Sequence, residues 1–174
     1  MRHYVTRETL LNIYYALFHS HLQYAAIVWG QDRTPLLHRI QTLQNKALRI
    51  ICFKSSRESA NPLFLETKIL KFEDVVKVQS CMLAFSYVNK NLPTALNSHF
   101  TPISDIHNHS TKFAELKLHV NRTNTVKYGS NSIQAKVVRT WNDILNKIQD
   151  HPLNSSKMKF KENLEELLIN LYKN

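Results

Sequence analysis

The side chains most able to do chemistry in this chain are nine histidines, two cysteines, thirteen carboxylates and twenty-three lysines and arginines. His107 and His109, with Asp105 beside them, could be read as the start of a metal site. Structural zinc, however, normally takes two ligand pairs at set spacings, usually with cysteine, and Cys52 and Cys81 form no such pair. The segment therefore reads as a polar turn, and no metal or other cofactor is expected. Both cysteines fall on apolar helical faces, where a thiol is ordinarily a small buried hydrophobe rather than a nucleophile. Glu73-Asp74 stands at a helix start, where acids complement the dipole. Glu162, Glu165 and Glu166 interleave with Lys157, Lys159 and Lys161 as a solvated face. Two-metal phosphoryl chemistry needs converging carboxylates, and the chain holds no Asp-Asp pair. Nothing here assembles a catalytic site or a small-molecule pocket.

The bases are organised differently. Formal net charge is +10, and six bases (Arg33, Arg39, Lys46, Arg49, Lys54, Arg57) lie between positions 33 and 57 without one acid. A second surplus, six bases against Glu115, runs from Lys112 to Arg139. Protein surfaces usually mix signs, so an anionic partner is expected, nucleic acid ahead of membrane. Arg39, Thr42, Lys46 and Arg49 recur at helical spacing and fall on one stripe, able to follow a phosphate backbone.

Glycine removes other options. The chain has two, Gly30 and Gly129, where average usage of about 7% would give roughly a dozen. Phosphate loops, dinucleotide fingerprints and nucleophile elbows all need closely spaced glycines, and hairpin-rich folds use them in turns. A mainly α fold remains.

The elements that would position these residues can be read from spacing. Thr6 is an N-cap with Glu8 in the first turn. Leu10, Tyr14, Leu17, His21, Ala25 and Val28 then predict one long helix to Trp29, apolar around most of its circumference and so expected to be buried on more than one side. Gly30 is expected to end it as a left-handed cap. Tyr14, Tyr15, Tyr24 and Trp29 could stack on bases, but on so apolar a helix they are expected in the core, Tyr24 and Trp29 as structural residues. Thr34-Pro35 opens a second helix with Leu36, Ile40, Leu43, Ala47 and Ile50 as its core stripe and the basic stripe about a quarter turn away. Asn61-Pro62 begins a short turn, and Val75, Val78, Met82 and Phe85 mark a third helix over 73–89, broken by Asn91-Leu92-Pro93. Residues 94–132 show no helical stripe, and only Leu116-Leu118-Val120 alternates like a strand. Ile133, Val137, Trp141, Ile144 or Leu145, and Ile148 restore helical spacing, with Trp141 as a structural core residue. A last helix starts near Ser155. The expected organisation is a helical unit over 5–93, an irregular segment over 94–132 with room for one short strand pair, and a C-terminal helical pair over 133–174. No apolar run approaches the 18 residues of a membrane span, the N-terminus has no secretory pattern, and two thiols make no disulfide framework. An intracellular setting, nucleus or cytoplasm, is expected.

Several segments in order resemble the C-terminal region of reverse transcriptases from jockey-like, LINE-type non-LTR retrotransposons. They are Tyr15-Ala16-Leu17-Phe18, the run from His21 to Gly30, the run from Leu43 to Ile51, Pro62-Leu63-Phe64, Leu70-Lys71-Phe72-Glu73-Asp74, Leu92-Pro93, the run from His107 to Lys112, and Val138-Arg139-Thr140-Trp141-Asn142. The resemblance covers about 10–170. It implies a thumb-like helical bundle that grips a template-primer duplex, with Lys46 and Arg49 on the helix facing nucleic acid, and a C-terminal extension that includes Lys112. It also implies a transposable-element RNA-directed DNA polymerase whose catalytic palm lies outside this chain, so that the chain is expected to be a fragment, or a gene derived from one, that is not catalytic alone. The residues expected to meet RNA or an RNA–DNA duplex are Arg39, Lys46, Arg49, Lys54, Arg57 and Lys112. The alternative is a protein-interaction module packing on the rest of a reverse transcriptase or on a host protein.

Overall fold

A computed structural model describes residues 4–30, 35–106, 113–148 and 151–173. The protein is mainly helical, and among the described residues strand pairing is limited to one isolated antiparallel bridge, Pro102 with Leu118. Backbone packing groups the chain into two compact units, Met1–Val76 with Leu164–Asn174, and Lys77–Asn163. These divisions fall inside two helices, 72–88 and 157–170.

The first unit begins with α1 (Arg7–Ile13), capped as expected by Thr6, whose Oγ1 accepts the Thr9 N–H at 3.3 Å. The predicted long helix then departs from regularity twice. Tyr14–His19 forms a π-helical turn, with the Ser20 N–H bonded to the Tyr15 carbonyl five residues back. After α2 (Ser20–Gln23), Tyr24 is extended and Ala25 is left-handed at φ 50°, so α3 (Ala26–Trp29) starts anew. α4 (Pro35–Ile51) and α5 (Asn61–Thr67) follow, then α6 (Phe72–Val88). One core cluster gathers Tyr14, Leu48, Ile51, Leu63, Phe64 and Ile69. Another joins Leu22, Ala26, Phe72 and Val76, with Phe18, Trp29, Leu37 and Ile40 against it. Removing this apolar area from water supplies the main drive for assembly.

The C-terminal turn of this unit is held by a polar clasp. Tyr172, in a 3-10 turn over Leu171–Lys173, donates its hydroxyl to Asp74 Oδ2 and accepts the Lys71 N–H at 3.0 Å. The Lys71 ammonium lies 4.8 Å from the Tyr172 ring centroid, within cation–π range.

The second unit contains α7 (Thr94–Asn97), α8 (Ile133–Lys147) and the start of α9 (Lys157–Asn170). α8 is capped by Ser132, whose Oγ accepts the Ala135 N–H at 3.2 Å. It buries Ala135, Val137, Val138, Trp141, Ile144 and Leu145, close to the predicted stripe. Phe160 stacks on Phe85 at 4.6 Å and meets Trp141 edge-on. Leu116 and Leu118 are buried as their alternation predicts. The strand itself reduces to His119 N–H bonded to Thr101 O at 2.7 Å and Ile103 N–H to Lys117 O at 2.9 Å. The rest of that segment's pairing comes from α8. Asn142 Oδ1 accepts the Leu118 N–H at 3.0 Å, and its Nδ2 donates to the Leu118 carbonyl at 2.8 Å. One amide side chain thus takes the place of a neighbouring strand, and Trp141 Nε1 donates to Leu116 O at 2.8 Å beside it.

Candidate nucleic-acid interface

The basic stripe lies on α4, and what fixes its direction is a buried polar residue. Gln44 is fully buried. Its Nε2 donates to the Tyr14 hydroxyl at 2.9 Å and to the Leu70 carbonyl at 2.8 Å, while its Oε1 accepts the Phe72 N–H at 3.0 Å. Burying an amide is unfavourable unless it is bonded, and these bonds hold only when α4 turns position 44 inward. Leu48 and Ile51 are buried on the same side, with Leu37 and Ile40 half-buried.

This rotation corrects the predicted core stripe. Leu43 is 52% exposed and Ile50 is also exposed, whereas Gln44, Leu48 and Ile51 are core; the Leu36 side chain lies outside the described residues. At about 100° per residue, Arg39, Thr42, Lys46 and Arg49 then lie roughly opposite the buried side, not a quarter turn from it. Arg39, Thr42 and Lys46 are exposed and Arg49 half-exposed.

The C-terminal end of α4 is built by its own bases. Lys54 N–H bonds to Arg49 O at 2.8 Å and Phe53 N–H to Ile50 O at 3.2 Å, with Phe53 left-handed at φ 55°. This is a Schellman close with phenylalanine where glycine is usual. Arg49 Nε donates to the Glu58 carbonyl at 2.7 Å. The Glu58 carboxylate accepts the Ser55 N–H at 2.9 Å and pairs with Lys54 Nζ at 3.4 Å. The Ser55 N–H, with Lys54 adding to it, holds the Glu58 carboxyl below its usual range. Arg39, Lys46 and Arg57 are exposed along and beyond the helix, while Arg49 and Lys54 also fasten the turn. Lys112 and the pair His107 and His109 lie outside the described residues, as does Thr34, the expected N-cap of the second helix.

The residues expected to be structural divide. Trp141 is fully buried in the second unit. Trp29 stacks on Phe72 at 4.7 Å, 12° from parallel, and donates Nε1 to the Tyr24 carbonyl at 2.7 Å. Tyr24 therefore contributes its backbone, and its ring is 81% exposed. Gly30 does not take the left-handed cap conformation; its φ is −82°. A Cβ there would stand 2.5 Å from both Ala26 O and Val76 Cγ2, so close approach is what requires glycine. The left-handed residue is Ala25, before α3 rather than after it. The expectation that the first helix, apolar around most of its circumference, is buried on more than one side is also corrected. Tyr14, Leu22 and Ala26 are core, but Ile13, Tyr15, Leu17 and Val28 are exposed, Leu17 to 67%.

Spacing alone does not disclose the architectural roles of Gln44 and Asn142, although both stand within the segments that carry the family resemblance. A usable signal exists for Gln44: at helical spacing it is flanked by Leu37, Ile40, Leu48 and Ile51.

The reactive groups are placed as follows. Burial pushes the Cys81 thiol up to about 12 and raises that of Cys52. Asp74 is buried in the clasp with Tyr172. Among the described residues no group of three His, Cys, Asp or Glu side chains is arranged to hold a metal ion. No helix of those residues is long and apolar enough to cross a membrane. No family model, curated protein or solved structure matches this chain.

Proposed function

We propose that the chain is a thumb-like part of a non-LTR retrotransposon reverse transcriptase that binds RNA or an RNA–DNA duplex through its phosphates and does not catalyse. The observation that carries this reading is the outward face of α4. Arg39 and Lys46 are exposed there, in a stretch of 25 residues (33–57) without an acid. Arg57 continues the positive surface past the helix end. Backbone contacts of this kind give affinity without sequence preference. The setting proposed for such a protein is intracellular, nucleus or cytoplasm.

The experiment is an anisotropy titration of the purified chain with labelled RNA and RNA–DNA duplexes over a range of salt. Each phosphate neutralised contributes about −0.9 to the slope of log K against log salt for a duplex. Binding indifferent to salt would reject the reading.

A second reading is favoured by one observation. Leu17, Tyr24 and Val28 are exposed on the N-terminal helices, with Ile13 and Tyr15 also reaching solvent. Exposed apolar residues recurring along one stretch of chain, here 13–28, are a feature of association surfaces. On this reading the chain docks on another protein, or on the rest of a polymerase. Self-association of the purified chain with no retention of RNA would favour it.

A further inference from the structure

The helix ends of this glycine-poor chain expose an inconsistency at one residue. Three Schellman-type closes use non-glycine residues in the left-handed position: Phe53, Lys68 and Lys90, at φ 55°, 53° and 57°. Each has the same paired bonds, and the wider-spanning bond of each pair is Lys54 N–H to Arg49 O, Ile69 N–H to Phe64 O and Asn91 N–H to Ser86 O. A side chain in this conformation costs conformational energy relative to glycine. At Lys68 and Lys90 the side chain is a lysine, which is at home in water. At Phe53 it is a phenyl ring left 44% exposed. Neither the backbone nor full burial favours phenylalanine there.

The ring's surroundings say what it suits. It stands one residue from Lys54, four from Arg57 and four from Arg49, on a turn made rigid by Arg49 Nε to Glu58 O at 2.7 Å and Ser55 N–H to Glu58 Oε1 at 2.9 Å. Glu58 is the turn's one acid, and its charge is taken up by the Ser55 N–H and Lys54. A half-exposed aromatic in a basic stretch of chain, on a pinned backbone, is the chemistry that binds unpaired bases: a ring offers a stacking face and a nearby cation holds the flanking phosphate. Within a duplex each base is already stacked on its neighbours.

We infer that Phe53 is a stacking platform for one unpaired nucleotide, with Arg57 on its phosphate, so that the chain prefers a single-stranded overhang to a blunt duplex. The inference rests on the nucleic-acid reading of α4 and adds a partner feature to it. Residues held in sparsely populated backbone conformations cluster at functional sites, and of these three closes only Phe53 adds a half-exposed ring.

The test uses the full chain and three labelled probes: a single-stranded oligoribonucleotide, a blunt RNA–DNA duplex, and the same duplex with a single-stranded overhang carrying 2-aminopurine. Phe53→Gly removes the ring and supplies the residue this backbone prefers. Phe53→Leu keeps an apolar side chain without a ring, should glycine alter the fold, and Phe53→Trp keeps a stacking face. The expected result is a loss of roughly 5- to 150-fold in single-strand and overhang affinity for the glycine and leucine variants. Blunt-duplex affinity should stay within about twofold, and the 2-aminopurine signal change should disappear with the ring and persist with tryptophan. Unchanged overhang affinity without the ring, or an equal loss on the blunt duplex, overturns this inference and leaves the reading of α4 standing. No salt-dependent binding of the unaltered chain to any probe overturns both.

Discussion

Replacing Gln44 by leucine tests the feature that aims the basic face. The substitution nearly preserves volume and removes the amide. Three groups lose their partner: the Phe72 N–H, the Leu70 carbonyl and the Tyr14 hydroxyl as acceptor. Phe72 and Leu70 are both buried, so water does not replace the missing bonds. A buried donor or acceptor left unpaired costs about 1–3 kcal/mol. The two backbone groups dominate, because the tyrosine hydroxyl keeps its own proton to donate. Burying leucine in place of an amide returns roughly 1 kcal/mol. The expected net loss is about 3 kcal/mol, a large part of the roughly 5–15 kcal/mol that holds a domain folded. Urea unfolding followed by helical circular dichroism measures it. Gln44→Glu provides a sharper comparison: it retains an acceptor for the Phe72 N–H but faces the Leu70 carbonyl with no donor and adds a buried charge, so it should lose more than leucine. A loss below about 1 kcal/mol for Gln44→Leu, or a glutamate variant as stable as the parent, would refute the account of how α4 is oriented.

Other consequences are as direct. Asn142→Ala unpairs both backbone groups of Leu118 and should destabilise by about 1–3 kcal/mol; Asn142→Asp, which sets a carboxylate oxygen against the Leu118 carbonyl, should be worse, and hydrogen exchange at the Leu118 amide reports the loss. Gly30→Ala is expected to cost about 2–3 kcal/mol in urea unfolding through overpacking, because the new Cβ meets Ala26 O and Val76 Cγ2 at 2.5 Å; a neutral effect would contradict that geometry. In alkali, burial keeps the Tyr14 hydroxyl and the Cys81 thiol neutral up to about 12, and burial together with the Asp74 carboxylate raises Tyr172. Since these folded-state values lie above the unfolded ones, their stabilisation is complete below about pH 9 and is lost as pH rises through 10 towards 12; melting temperature should fall over that range, less steeply for Cys81→Ala, and a flat profile would exclude it.

Some elements are legible from local signals. Thr6 caps the first helix, Pro35 stands at the start of α4, and the stripe from Val137 to Leu145 is core, because capping and proline chemistry act within a few residues. Asn61-Pro62, expected to begin a short turn, instead starts the two-turn helix α5. What spacing does not disclose arises from distant partners. Spacing sets the core stripe of α4 one residue early, since a polar Gln44 reads as surface; its bonding partners are Tyr14, Leu70 and Phe72, 30, 26 and 28 residues away. The break at Tyr24-Ala25 has no glycine or proline to announce it and is held by the Trp29 indole. The apolar residues Leu17 and Val28 carry the right spacing for a buried stripe, yet they face solvent; hydrophobic periodicity reports that a face can be covered, not by what. In the proposed site, the identity of the bases is readable from the chain. Their direction is not, because it depends on which residue of α4 the core accepts.

The most direct test of the central proposal is the salt dependence of RNA–DNA duplex binding by the parent chain and by Arg39→Glu/Lys46→Glu. Both positions are exposed on α4, so the fold should survive and circular dichroism should be unchanged. The parent is expected to bind with a steep negative slope of log K against log salt. The double variant should bind more weakly, with a slope shallower by about 2, roughly one for each phosphate it no longer neutralises. A parent that binds no duplex at low salt, or a variant with the parent's affinity and slope, would contradict it.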